Sequence, residues 1–380
     1  MKRWQQIGLM GGLALPITVA ALVDWRMMSR AITYPTAPIM AVDWYQPLTP
    51  VPGNWRQPLP EADPATAPVS AEALAVVSAY AARHNSTGLI VLHRGQIIWE
   101  EYWQGYGPDS RFNAMSMSKT VVALLLGIAI AEGHIESVAD PVARYLPEWG
   151  QDDRAAITLA DLLYMQSGLR NEDRTDSPFS DLVQMYVGSR VNQTALRVPS
   201  QRSPAEVYEY NNVNTQILSL VLERATGEAY PAYLSSRLWQ PLGATDAAIW
   251  LDRPGGDAKT FCCLFATARD WARVGQLWLD QGRVGARAVV PPDWIAAMAT
   301  PSPLEATYGY HIWLKARTAD YPNVDTAATA AFVDADTVYL DGRGLQRVYV
   351  MPQRQLVVVR MGEDTDQWDD AVIPNTLLGP

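Results

Sequence analysis

An α/β fold of the α+β kind is predicted by three features of the 380-residue sequence: strand-like runs at both ends of the main body, apolar helical runs between them, and Gly or Pro turns punctuating each run. Runs at 88–95 and 96–103, joined by a tight Arg94-Gly95 turn, open the body. Runs at 308–314, 337–340, 347–350 and 355–360 close it, with turns at Gly342-Arg-Gly344 and Pro352-Gln-Arg354. Strands from opposite ends of one body form a single sheet only if the first and last meet, so the pattern predicts an antiparallel sheet flanked by helices, with a mostly helical lobe inserted.

In chain order, residues 1–25 begin Met1-Lys-Arg and continue with a charge-free apolar run from Ile7 to Val23, closed by Asp24. A basic start followed by such a run reads as a secretory signal or an uncleaved signal anchor. Residues 26–69 are a Pro-rich linker, with Pro35, Pro38, Pro47, Pro50, Pro52, Pro58, Pro60, Pro64 and Pro68. Such a segment is an extended spacer, with Trp44, Tyr45 and Trp55 able to lay it along the body. The folded domain is expected over 70–380, opening with a helix at 71–83 capped by Ser70. Further helices are expected after Ser116, at 157–168 with Thr158 as cap, at 216–225 stopped by Gly227, and over 262–279; 171–178 reads as a mobile loop.

Composition excludes several classes of function. A chain that is 48% hydrophobic buries a large core. A net charge of −10 with no basic run excludes a nucleic-acid partner. Fourteen Trp and seventeen Tyr against five Phe suit a core with polar handles and a pocket for a small molecule. The four histidines, His84, His93, His134 and His311, lack metal-ligand spacing, so neither a metal nor a cofactor is expected. Cys262 and Cys263 are neighbours, which rarely reach bridge geometry, so no structural disulfide is expected. There is no Gly-x-Ser-x-Gly elbow.

The chemistry concentrates in Ser116-Met-Ser-Lys119, which enters the apolar run Val121 to Ala129. Residues three apart on a helix share a face, so the Ser116 hydroxyl and the Lys119 amine can meet, whereas Ser118 points elsewhere. A serine nucleophile needs a base, and a lysine serves only if burial lowers its pKa toward neutrality. The apolar run supplies that burial. The same four residues also fit a helix N-cap followed by a solvated first-turn cation.

Two more stretches follow in order, Tyr210-Asn-Asn212 and Gly342-Arg-Gly-Leu-Gln346, together with Gly133, Leu162-Leu-Tyr-Met-Gln-Ser-Gly-Leu169, Pro241-Leu-Gly243 and Ala266-Thr-Ala-Arg-Asp270. With Ser116-x-x-Lys119 they resemble the serine β-lactamase-related superfamily over about residues 70–375, most nearly its 6-aminohexanoate-dimer hydrolase and family VIII esterase branch alongside class C β-lactamases. The resemblance implies a β-lactamase/transpeptidase-like fold with the active site between sheet and helical lobe. It implies Ser116 as acylated nucleophile, Lys119 as general base and Tyr210 as the acid/base that protonates the leaving group. Asn212 would position Lys119 and the substrate, with Gly342, Arg343 and Gln346 as further substrate-binding residues. The oxyanion would meet the backbone N–H groups of Ser116 and Arg343.

One departure matters. Where β-lactamases and penicillin-binding proteins carry Lys-Thr-Gly, or related enzymes His-x-Gly, this chain has Leu340-Asp341-Gly342. Loss of the cation that meets a penicillin carboxylate shifts the expectation toward an exported hydrolase of small amides or esters, periplasmic or anchored in the inner membrane and facing the periplasm. A β-lactamase or D-Ala carboxypeptidase, and a catalytically silent envelope-binding protein on the same scaffold, are the alternatives.

Overall fold

The computed structural model describes residues 24–55, 58–317, 328–365 and 367–379. Its central sheet is built from apolar runs at the two ends of the body. The strands are β2 (Ser86–His93), β3 (Gln96–Tyr102), β9 (Val338–Gly342), β10 (Gln346–Met351) and β11 (Leu356–Gly362), in the spatial order β3-β2-β11-β10-β9. All pairs are antiparallel, and β2 joins β11 in the register Val91↔Val358, so the two ends of the body do meet. Every residue of β11 is buried, because helices cover both faces and apolar side chains are needed on each.

The helices Ala71–Arg83, capped by the Ser70 hydroxyl, and Val372–Leu378 cover one face. The helix Ala268–Leu279 covers the other. It packs so tightly that a Cβ on Gly275 would lie 2.5 Å from Val357 and 2.8 Å from Val348. The inserted lobe carries Ser118–Ala131 and Asn212–Thr226, which pack together. Ser118–Ala131 is buried nearly all round, as a helix without a polar face must be.

Several expectations are corrected. The 262–279 stretch splits into strand β6 (Leu264–Thr267) and the Ala268–Leu279 helix, whose start is set by a Thr267/Asp270 capping box. Residues 308–314 form a tight loop, not a strand; only Tyr308↔Trp313 and Trp313↔Tyr339 bridge, and His311 takes a φ of 54° that no strand tolerates. A second, four-stranded sheet, ordered β1-β5-β6-β4 from β1 (Leu48–Val51), β5 (Ala247–Trp250), β6 and β4 (Arg111–Asn113), was not expected, nor was the small ribbon of β7 (Arg283–Val284) and β8 (Arg287–Ala288). The strands of the second sheet are only three or four residues long, too short to show a period.

The domain boundary also moves. The Pro-rich segment is not an extended spacer: β1 pairs with β5 over Leu48↔Trp250 to Val51↔Ala247, and Ile39, Tyr45 and Val51 are fully buried. Trp44 and Tyr45 pack on Trp250, whereas Trp55 stays exposed. Helix Trp25–Ile32 is docked too, so the folded body includes the chain from Asp24 onward. The signal or anchor expected over 1–25 lies outside the described residues except for Asp24 and Trp25. Among the described residues, no helix is long and apolar enough to cross a membrane. Cys262 and Cys263 are joined in a vicinal disulfide, against expectation; Cys263 adopts a φ of 72°, a turn that brings the two sulfurs together.

Candidate active site

Strand β4 delivers the chain to Ser116, which sits in a 3₁₀ turn, Met115–Met117, and not within the helix that begins at Ser118. Met115 carries a φ of 48°, a strained setting for a non-glycine residue immediately before the serine. The turn still leaves Ser116 and Lys119 on one side: Lys119 Nζ lies 2.9 Å from Ser116 Oγ. Ser118 points away, its hydroxyl accepting from the Leu264 N–H at 3.4 Å.

Lys119 is 1% exposed, and its Nζ donates to the Phe261 carbonyl at 2.8 Å. Burial brings its pKa down to about 7, opposed by the charge of Asp341. A neutral amine keeps one N–H on Phe261 and turns its lone pair to the Ser116 O–H, which is the arrangement a general base needs. Burial alone is not the mark of such a lysine. Lys259 is equally buried, but its Nζ donates to the main-chain carbonyls of Met185 at 2.6 Å and Gly188 at 2.9 Å.

Tyr210 ends the loop before the Asn212–Thr226 helix, with its ring centroid 5.0 Å from Lys119 Nζ. Trp313 stacks near-parallel on it at 6.0 Å, and Tyr308 meets it edge-on. The neighbouring Asn211 accounts for the position of the helix. Its side chain caps Val213 N–H at 2.9 Å and donates to the Arg170 carbonyl at 3.1 Å. Asn212 lines the cleft, while the hydrogen bond that orients Lys119 goes to Phe261. His311, in the loop mistaken for a strand, is buried beside Lys119, and its pKa is pushed down to about 3 by burial and by that lysine's charge. Its ring meets Thr215 at 3.0 Å and its carbonyl accepts from Thr120 at 2.6 Å, so it ties the two lobe helices behind the lysine.

The far wall is the end of β9 and the following turn. A Cβ on Gly342 would fall 2.3 Å from the Ala114 carbonyl, so only glycine lets this strand lie against the Ser116 entry. Leu340 is buried, and Asp341 turns to the cleft, where it pairs with Arg317 and Arg347. Arg347 continues to Asp370 at 2.7 Å, giving two cations balanced by two carboxylates. Arg343 is more than half exposed and 3.9 Å from Asp364. Gln346, expected to touch substrate, does not reach the cleft. It is wholly buried, its amide donating to Gly344 at 2.9 Å and accepting from Gly362 N–H at 3.1 Å, so it holds the β9–β10 turn.

Ser116, Tyr208, Tyr210, Asn212, Trp313 and Gly342 line one cleft of about 850 Å³ between the sheet edge and the helical lobe. Sequence reading missed Phe261, Trp313, Arg317 and the role of Asp341. Phe261 contributes only a main-chain carbonyl, which leaves no signal in residue type. Among the described residues, no group of acidic, His or Cys side chains is placed to hold a metal.

A family model, Beta-lactamase, matches residues 73–375. The chain belongs to the beta-lactamase family. It is 32% identical to a 6-aminohexanoate-dimer hydrolase of Paenarthrobacter ureafaciens over 237 residues, covering 57% of this chain and 58% of that one, so the match spans less than two thirds of the relative. The fold is shared with a Bacillus anthracis protein provisionally named 6-aminohexanoate-dimer hydrolase, at TM-score 0.71, 18% identity and coverage of 86% and 87%. It is also shared with EstCE1, a hydrolase with promiscuous acyltransferase activity, at TM-score 0.62, 16% identity and coverage of 81% and 98%.

Proposed function

We propose that this beta-lactamase family chain is a serine hydrolase that cleaves small amides or esters through an acyl-enzyme on Ser116. The observation that carries this reading is the 2.9 Å contact between the Ser116 hydroxyl and a buried lysine whose pKa is about 7. Lys119 takes the hydroxyl proton as Ser116 Oγ attacks the carbonyl carbon, and the backbone N–H groups of Ser116 and Arg343 receive the oxyanion. Tyr210, beside Lys119, passes the proton to the leaving amine or alcohol. Water then attacks the acyl-enzyme with the same groups acting in reverse.

The preferred substrates are uncharged near the scissile bond. Leu340 is buried where penicillin-recognising relatives offer a cation, and the Arg317 and Arg347 charges beside it are already met by Asp341 and Asp370. A substrate carboxylate placed there forgoes a charge-assisted hydrogen bond of about 1.5–3 kcal/mol, a tenfold or greater handicap. Residues 1–23 serve export and anchoring, as their basic start and charge-free run suggest.

A fluorophosphonate should add one adduct mass to the full chain and none to Ser116→Ala. Labelling that persists in Ser116→Ala would defeat the nucleophile assignment. Turnover of nitrocefin above that of p-nitrophenyl butyrate, abolished in Arg343→Ala, would instead favour penicillin recognition.

A further inference from the structure

Helix Trp25–Ile32 is amphipathic in the reverse sense of an ordinary surface helix. The side turned to the body carries Met27 and Arg30. The Arg30 guanidinium donates to the carbonyls of Val187 and Gly188, both at 3.1 Å, and of Gln46 at 2.9 Å, and lies 4.7 Å from the Trp250 ring. Asp24 fixes the other end, capping Met27 N–H at 3.0 Å and accepting from the Ser189 hydroxyl at 2.8 Å. At 100° per residue, Trp25, Met28 and Ile32 share the opposite face, and they are 59%, 45% and 79% exposed. An element that buries its arginine and presents Trp, Met and Ile outward is unfavourable against water and favourable against an apolar medium.

What lies against that face is indicated by the chain itself. Ile7 to Val23 carries no charged residue, follows Lys2-Arg3, and ends one residue before the Asp24 cap. Any membrane segment there would deliver the helix at the bilayer surface, where tryptophan is favoured, and Arg26, exposed on the flank, suits anionic headgroups. We propose that the Trp25–Ile32 helix lies flat in the headgroup region of a phospholipid bilayer, with Trp25, Met28 and Ile32 at the acyl boundary. The catalytic body is thereby held in one orientation on the membrane and not tethered loosely. The proposal rests on the anchoring role assigned to residues 1–23.

The test uses the full chain in phosphatidylcholine/phosphatidylglycerol vesicles containing lipid brominated near the headgroup end of the acyl chain. An environment-sensitive fluorophore is placed on Trp25→Cys, Met28→Cys, Ile32→Cys or, as control, the exposed helical position Val76→Cys. The native Cys262 and Cys263 are buried and joined, and the unsubstituted chain serves as the labelling blank. Quenching at 25, 28 and 32 should be alike and at least about fivefold above that at 76, with blue-shifted emission. Quenching that dies away from 25 to 32 would overturn the proposal, because the helix would then stand off the surface. Blue-shifted but unquenched labels would also overturn it, showing the face covered by a second copy or by residues 1–23. If vesicles sediment with the chain while the labels stay unquenched, the flat helix fails and anchoring survives; if the chain stays in the supernatant, both fail.

Discussion

Replacing Lys119 by methionine should make the protein more stable at pH 6 and catalytically dead, with a pH dependence that identifies the cause. The folded chain holds this amine at a pKa of about 7 by burying it; in the unfolded chain it titrates near about 10.4. Between these values the folded state binds fewer protons, so its stability rises with pH. Below about pH 7 the lysine is protonated in both states and the whole penalty applies, about 4–5 kcal/mol at about 1.4 kcal/mol per unit. Near pH 9 about 2 kcal/mol remains, and above the unfolded pKa none does. Methionine fills similar volume without a charge, but it forfeits the contacts to Ser116 and Phe261, at about 1 kcal/mol each, and leaves the Phe261 carbonyl without a donor. The net gain should be about 1–2 kcal/mol at pH 6 and should fall by about 2–3 kcal/mol by pH 9, where the variant becomes the less stable of the two. Urea unfolding of both proteins at pH 6, 7, 8 and 9 measures it, alongside ester hydrolysis lowered by about 10²–10⁴. A gap that does not change with pH, or a variant less stable at pH 6, would mean that the folded protein holds Lys119 charged and paired, and the general-base argument would fall with it.

In the unsubstituted protein, kcat/KM for a p-nitrophenyl ester should rise with pH and be half-maximal near pH 7, where Lys119 loses its proton; a flat profile from pH 5.5 to 8 would contradict the assignment. Gly342→Ala should lower activity by about 10²-fold or more and stability by about 1–3 kcal/mol, because its Cβ would meet the Ala114 carbonyl; unchanged turnover would show that β9 need not lie so close. A chain starting at residue 24 should fold and hydrolyse esters, while one starting at residue 70 loses β1 and the buried Tyr45 and should aggregate; circular dichroism and size exclusion report both.

The central sheet was legible because β2, β10 and β11 are long enough to show their apolar run and turn residues, and because they stand at opposite ends of the body. The second sheet was hidden by strands too short to carry a period, and β1 was masked by Pro50 and Pro52, which an edge strand tolerates. The 308–314 loop was mistaken for a strand because its aromatics alternate like one, whereas Tyr308 is buried against Tyr210 and Trp313 and Tyr310 against Tyr164 and Trp294.

Local chemistry in the sequence determined the caps at Ser70 and Thr158, the placing of Ser116 within reach of Lys119, and the apolar run that follows the lysine. These depend on residues a few positions apart, where spacing limits which side chains can meet. What tertiary structure decided comes from residues distant in sequence. The Phe261 carbonyl orients Lys119 across 142 positions, Asp341 is neutralised by Arg317 and Arg347, and Gln346 is turned inward to brace its own turn. A main-chain carbonyl has no letter in the sequence, and whether a carboxylate faces a cleft free or already paired depends on which strands close around it.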